Sequence, residues 1–169
     1  MLTSFVSRLA LSGTLAMAGA FGLTAAAIAA PDAVIDLSAG LACAGFDLRI
    51  EITGGVQVNK EFMDKNGNVV RFLSAGKGSA LSFTNLSTQA HLSVRPNGSV
   101  TQTKVNSNGT LTVQSTGHNV IILFPTDVPA GPSTVQYIGR VSYTVDLSSD
   151  VFTLRAFSGK STDICAALS

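Results

Sequence analysis

The chain has 169 residues, 46% hydrophobic and only 12% charged, with Lys+Arg 11 and Asp+Glu 10. That charged share is about half the usual one, and Ser, Thr, Asn and Gly stand where charges would be. Lys and Arg are scattered singly from Arg49 to Lys160, which argues against nucleic acid or anionic lipid as a partner, since both call for clustered cations.

From Leu9 to Ala30 runs a stretch of 22 residues without a charge, preceded by Arg8 and ending in Ala27-Ile28-Ala29-Ala30-Pro31. Small residues before a processing point read as a secretory signal over residues 1–29, with cleavage at Ala29 or Ala30. Cleavage after Ala29 is the better fit, because cleavage after Ala30 would place Pro31 at the next position. The run is long enough to span a bilayer, but its Ala/Gly content and its processing pattern favour removal. The expectation is a secreted, extracellular protein with no stable membrane span after processing. The rest divides into an N-terminal linker, 30–42, and a single β domain, 43–169, a length that can bury one core.

Cys43 and Cys165 are the only cysteines. An even pair in an oxidising compartment reads as a disulfide, and the spacing lacks the C-x-x-C of a redox site. The bond would close nearly the whole domain.

After Cys43 the apolar period becomes two. Phe46, Leu48, Ile50 and Ile52 alternate with Asp47, Arg49, Glu51 and Thr53 until Gly54-Gly55, the pattern of a half-buried strand. Val56 to Phe62 and Val69 to Ser74 flank Asn66-Gly67, a hairpin signal that calls for positive φ at both turn positions. Further strands are expected around Leu81 and Phe83 and around Leu92 and Val94. Asn97-Gly98 and Asn108-Gly109 enclose Val100 to Val105, whose Thr, Gln and Lys suit an exposed edge or a poorly covered face. Leu111 and Val113 begin a better-buried run, and Thr116-Gly117-His118-Asn119 reads as a turn. Val120 to Phe124 is continuously apolar, hence covered on both faces or pressed on another layer. Val135, Tyr137, Val141, Tyr143 and Val145 form one long alternation around Gly139, which suggests a bent strand. Val151 to Phe157 returns, and 162–168 suits a short helix capped by Ser161 or Thr162.

The expected fold is all-β: about ten antiparallel strands in a meander, with a short C-terminal helix. A meander joined end to end slightly favours a β-barrel over a β-sandwich.

Chemistry is sparse. His91 and His118 have no metal-ligand spacing around them, no G-x-S-x-G elbow is present, and Glu51 and Glu61 fall on polar strand faces. No cofactor or metal is implied and no catalytic residue stands out. The candidate functional loop comprises His118 and Asn119 with the Pro-rich connection of Pro125, Asp127, Pro129 and Pro132, too long and stiff for a simple hairpin. Its other reading is a rigid corner. Sequons occur at Asn85, Asn97 and Asn108.

The Cys43-x-Gly45-Phe46-Asp47 opening, Thr84-Asn85-Leu86-Ser87-Thr88, Thr116-Gly117-His118-Asn119 and the closing Ser158-Gly159-x-x-Thr162-Asp163-x-Cys165 together resemble a group of small secreted actinobacterial proteins. The resemblance implies export and an all-β domain, and it brings no site residues. The function expected is that of a secreted non-enzymatic protein binding a small apolar ligand or a surface partner. The alternatives are a structural or cell-surface interaction protein and, further off, a hydrolase on an all-β scaffold centred on His118.

Overall fold

The computed structural model describes residues 30–95 and 98–169. The signal reading over 1–29, with Ala29, and Asn97 of the second Asn-Gly turn lie outside the described residues.

Among the described residues ten strands form, all paired antiparallel, in two sheets. The first sheet takes β1 (Ala33–Leu37), β2 (Leu48–Thr53), β5 (Ala80–Asn85) and β6 (His91–Val94), in the order β1-β2-β5-β6. The second takes β3 (Val56–Met63), β4 (Val69–Lys77), β7 (Ser99–Val105), β8 (Thr110–Leu123), β9 (Ser133–Asp146) and β10 (Phe152–Asp163), in the order β10-β9-β8-β7-β4-β3. A four-residue helix, α1 (Ile164–Ala167), follows.

The all-β expectation holds, and the preference for a barrel does not. Closure needs the outermost strands to pair, whereas β3 and β10 stand at opposite ends of the second sheet. The chain instead passes from sheet to sheet: Gly54-Gly55 carries it out of β2 into the larger sheet, and Gly78-Ser79 carries β4 back into the smaller one. The two crossings lie side by side, with Ser79 Oγ donating to the Gly54 carbonyl at 2.8 Å. The architecture is sandwich-like. The segment 30–42, read from sequence as a linker, contributes β1, an edge strand whose Asp36 carboxylate takes two hydrogen bonds from Arg49 on β2, at 2.8 and 2.7 Å.

Alternation in β2 and β5 puts Leu48, Ile50 and Phe83 inside, where they pack with Ala42, Cys43, Phe46, Ile164 and Leu168. Val120 and Ile122 of β8 close this core from the larger sheet. Cys43 and Cys165 are bonded, with Cα atoms 5.5 Å apart. Helix α1 starts later than expected and is capped by Asp163, whose carboxylate accepts from Ala166 N–H at 3.0 Å; Asp is as good a cap as Ser or Thr.

The larger sheet does not lie flat. Gly76, Ser99, Gly117, Gly139 and Gly159 face one another in a row across β4, β7, β8, β9 and β10. Gly117, Gly139 and Gly159 have φ of 98°, 141° and 108°. A Cβ on Gly139 would strike the Ser158 carbonyl, and one on Gly159 the Ile138 carbonyl. Two observations show that the strands fold over along this row. Ser115 Oγ donates to Asn119 Oδ1 at 2.6 Å, although residues four apart in a straight strand are about 13 Å apart. Val128, beyond the far end of β8, donates from its N–H to the Phe152 carbonyl at 2.9 Å and accepts from Leu154 N–H at 2.7 Å. Phe152 pairs with Val145, and Leu123 with Ser133, positions about 40 Å apart along a straight strand.

The fold-over gives the sheet an inner face holding the buried Val113, Leu123, Tyr137 and Val141. Tyr143 stacks there on Phe152, with ring centroids 4.2 Å apart, and Tyr137 lies 4.9 Å from Phe157. It also explains the apolar run at the end of β8: Val120 and Ile122 face the smaller sheet, while Ile121 and Leu123 face the inside of the fold-over. The Thr116-to-Asn119 segment, expected as a turn, is a correction: it lies inside β8, where Gly117 marks a crease with pairing unbroken on both sides. The strand of Ser99–Val105 is no edge, since it sits between β4 and β8, but one of its faces is exposed, with Val100, Gln102 and Lys104 in solvent. Among the described residues of the Asn-Gly hairpins only Gly67 and Gly109 have positive φ. Asp64 replaces the expected two-residue geometry with a longer loop, its Oδ1 accepting from Asn66 and Asn68 N–H at 2.8 and 2.9 Å.

Candidate functional surface

The structure does not bring the sequence-derived loop residues into one site. His118 lies in β8 on the side facing the smaller sheet, its Nδ1 3.4 Å from Gln136 Nε2. It lines a cleft of about 260 Å³ between the sheets, with Ile52, Leu81, Val94 and Arg95 on the opposite side. Asn119 turns the other way, into the crease, where its Oδ1 accepts from Ser115 and its buried Nδ2 has no hydrogen-bond partner among the described residues. Asp127 is 5% exposed. Its carboxylate accepts from Phe124 N–H at 2.6 Å and from Phe152 N–H at 3.0 Å, fastening the Pro125-to-Pro132 connection to β10. Pro129 and Pro132 both follow cis peptide bonds.

His91 sits on the outer side of the smaller sheet among hydroxyls, with Nε2 2.8 Å from Ser93 Oγ and 3.2 Å from Ser82 Oγ. Among the described residues no group of three or more His, Cys, Asp or Glu could hold a metal ion. Asn85, first of the sequons, is 2% exposed. Its Oδ1 accepts from Ser87 N–H at 2.9 Å and its Nδ2 donates to the Leu168 carbonyl at 3.0 Å, so the side chain is committed to holding the C-terminus.

What the sequence reading missed is the outer face of the larger sheet. Register places Lys60, Arg71, Lys77, Lys104, Arg140 and Arg155 on this one face, all exposed. Arg155 is brought round by the irregularity between Leu154 and Ala156 and donates to Thr144 Oγ1 at 3.2 Å. Glu61 of β3 points to the other side, whereas Asp146, at the end of β9, shares the parity of Arg140 and Thr144 and places one carboxylate at the rim of the face, where it accepts from Ser148 N–H at 2.8 Å. Among the described residues the ion pair present is Arg49–Asp36, on the smaller sheet.

At one corner the face dips into a cleft of about 570 Å³ lined by Phe62, Met63, Arg71, Gln102 and Lys104. Arg71 and Lys104 are direct cross-strand partners, and like charges opposite one another destabilise a sheet. The Arg71 guanidinium lies 4.1 Å from the Phe62 ring centroid, and the Lys60 ammonium 5.2 Å from it. That stacking orients the cations without neutralising them. The corner can therefore take an anion on two or three charge-assisted hydrogen bonds.

Each of these cations is isolated in the sequence, so no local window shows a patch. The signal was available only through strand parity carried across five pairings, which needs the register. Comparison of the chain with protein-family models, with curated proteins and with solved structures returned no match.

Proposed function

We propose that the protein is an exported, non-enzymatic interaction protein that presents the outer face of its larger sheet to a partner at the cell surface or outside the cell. The observation that carries this reading is the gathering of six cations, Lys60, Arg71, Lys77, Lys104, Arg140 and Arg155, on one exposed face to which the strands add a single carboxylate, Asp146 at the end of β9. The chain beyond Ala30 is close to neutral, so its charge is segregated rather than abundant. Segregation of that kind creates a local field that selects a partner.

Export is supported by the Cys43–Cys165 disulfide, which is consistent with an extracellular location. No helix among the described residues is long and apolar enough to cross a membrane. The surface reading is preferred to a small apolar ligand because the inter-sheet cleft, at about 260 Å³, falls below the usual ligand-pocket range of about 300–1,000 Å³, and the two clefts within that range, of about 470 and 570 Å³, carry Glu51 and Arg95 or Arg71 and Lys104 in their linings.

Cosedimentation of the purified protein with isolated cell-envelope material, at low and at high salt, tests the reading. Binding that weakens with salt and is lost in an Arg140→Glu/Lys104→Glu variant is expected. Equal pelleting of both proteins at all salt concentrations would remove the outer face from consideration.

A further inference from the structure

Building on the reading of the outer face as the interaction surface, we propose that its partner is a hydroxyl-rich polymer bearing repeated anionic groups. Lys60, Arg71 and Lys104 around Phe62 then form the subsite for one such group.

The spacing of the cations argues for a polymer. From Lys104, Arg155 is three strands away, about 14 Å, and Arg140 is two strands away and four residues along, about 16 Å, at ordinary sheet spacings. A single phosphate or carboxylate cannot bridge such distances, whereas a chain carrying charge at intervals can touch all three points. Between them lie Gln102, Gln114, Thr116 and Ser142 on the same face. These neutral donors and acceptors suit sugar or polyol hydroxyls. Arg71 and Lys104 stand directly opposite one another, and an anion seated between them relieves the repulsion of that like-charged pair.

Other polyanions fit less well. Single-stranded nucleic acid uses exposed aromatic platforms, but Phe62 is already covered by Arg71 and Lys60. Tyr137 and Tyr143 belong to the inner face. A membrane surface would call for interfacial Trp or Tyr, and the chain has no Trp.

The test uses the disulfide-intact protein and calorimetric titration with four probes: poly(glycerol phosphate), polygalacturonate, vesicles containing phosphatidylglycerol, and a single-stranded DNA oligomer. Binding to one or both hydroxyl-rich polymers is expected, the two arms separating phosphate from carboxylate as the anionic group. Lys104→Glu is expected to lower that affinity by about tenfold and to flatten its salt dependence. Lys104→Arg should restore it, and an unchanged melting temperature checks folding. Tighter binding to vesicles or DNA than to either polymer overturns the choice of partner. Should Arg140→Glu abolish polymer binding while Lys104→Glu and Lys60→Glu leave it intact, the subsite is wrong and the outer face stands. If none of these variants changes binding to the polymers or to envelope material, the subsite and the underlying reading fall together.

Discussion

Replacing Cys43 and Cys165 together by Ala isolates what the terminal clasp contributes. The bond joins residues separated by 122 in sequence, and in the chain-entropy description a loop of that length stabilises the fold by about 5 kcal/mol. Total stabilities of domains are about 5–15 kcal/mol, so the variant should stand near the edge of folding. The folded state keeps other ties between its ends. Ala42, Ile164 and Leu168 remain in the core, Thr134 Oγ1 donates to the Ala42 carbonyl at 3.0 Å, and Asn85 holds the Leu168 carbonyl. The substitution therefore acts mainly on the unfolded chain. Urea unfolding followed by tyrosine fluorescence should show a lower midpoint and a steeper slope, because the open chain exposes more surface. A loss below about 1.5 kcal/mol with an unchanged slope would refute the loop-entropy reasoning. Proteolysis separates the remaining case: trypsin cutting at Lys160 alone would mean that only the C-terminal strand end and α1 come loose.

Gly139→Ala should cost at least about 2–3 kcal/mol in thermal unfolding, from a positive φ combined with a collision against the Ser158 carbonyl; Gly67→Ala, with open space around its Cβ position, should cost only about 1–2 kcal/mol. Asp127→Ala leaves the Phe124 and Phe152 N–H groups without their acceptor and should destabilise by about 2–4 kcal/mol, with proteolysis of the Pro125-to-Pro132 connection as a second readout. Acid should destabilise the fold. Hydrogen bonds from Arg49, from Asn68 and from Ser148 hold Asp36, Asp64 and Asp146 below the ordinary carboxylate range, so their contribution is present above about pH 4 and is lost as pH falls through the lowered values. Burial raises Tyr137 and Tyr143, so stability should also fall as pH climbs past about 10, where unfolded tyrosine ionises first. A melting temperature flat from pH 3 to pH 11 would contradict both assignments.

Much of the architecture was legible because it rests on local rules. Period-two alternation located β2, β3, β4 and β9, the two cysteines announced their bond, and the tyrosines of β9 fell on the buried parity. Errors came where one residue type serves two geometries. Glycine flanked by polar residues marks a turn when the chain reverses, and a crease when neighbouring strands bring glycines to the same row. Gly117 is of the second kind, and its partner Gly139 lies far along the chain. The barrel expectation failed for a related reason: hairpins read one after another look like a single meander, while Gly54-Gly55 and Gly78-Ser79 move the chain between sheets.

The crease and the cationic face are two consequences of the same register. Beyond the glycine row, the outward-facing positions of β8 and β9 meet the smaller sheet, and the sequence there is Val120, Ile122 and a buried Thr134. Before the row, the same parity meets solvent, and the sequence becomes Thr112, Gln114, Thr116, Arg140 and Ser142. The strands of the smaller sheet run 4 to 6 residues against 14 in β8 and β9, so it covers only the part of that face beyond the glycine row. The part before the row is left to solvent, and it belongs to the face on which the cations stand. Straightening the crease and neutralising the face should then be separable: Gly139→Ala lowers stability with polymer affinity retained in the folded fraction, and Lys104→Glu lowers affinity with stability retained. Loss of both properties in either variant would mean that the face is a by-product of the core rather than a surface with its own role.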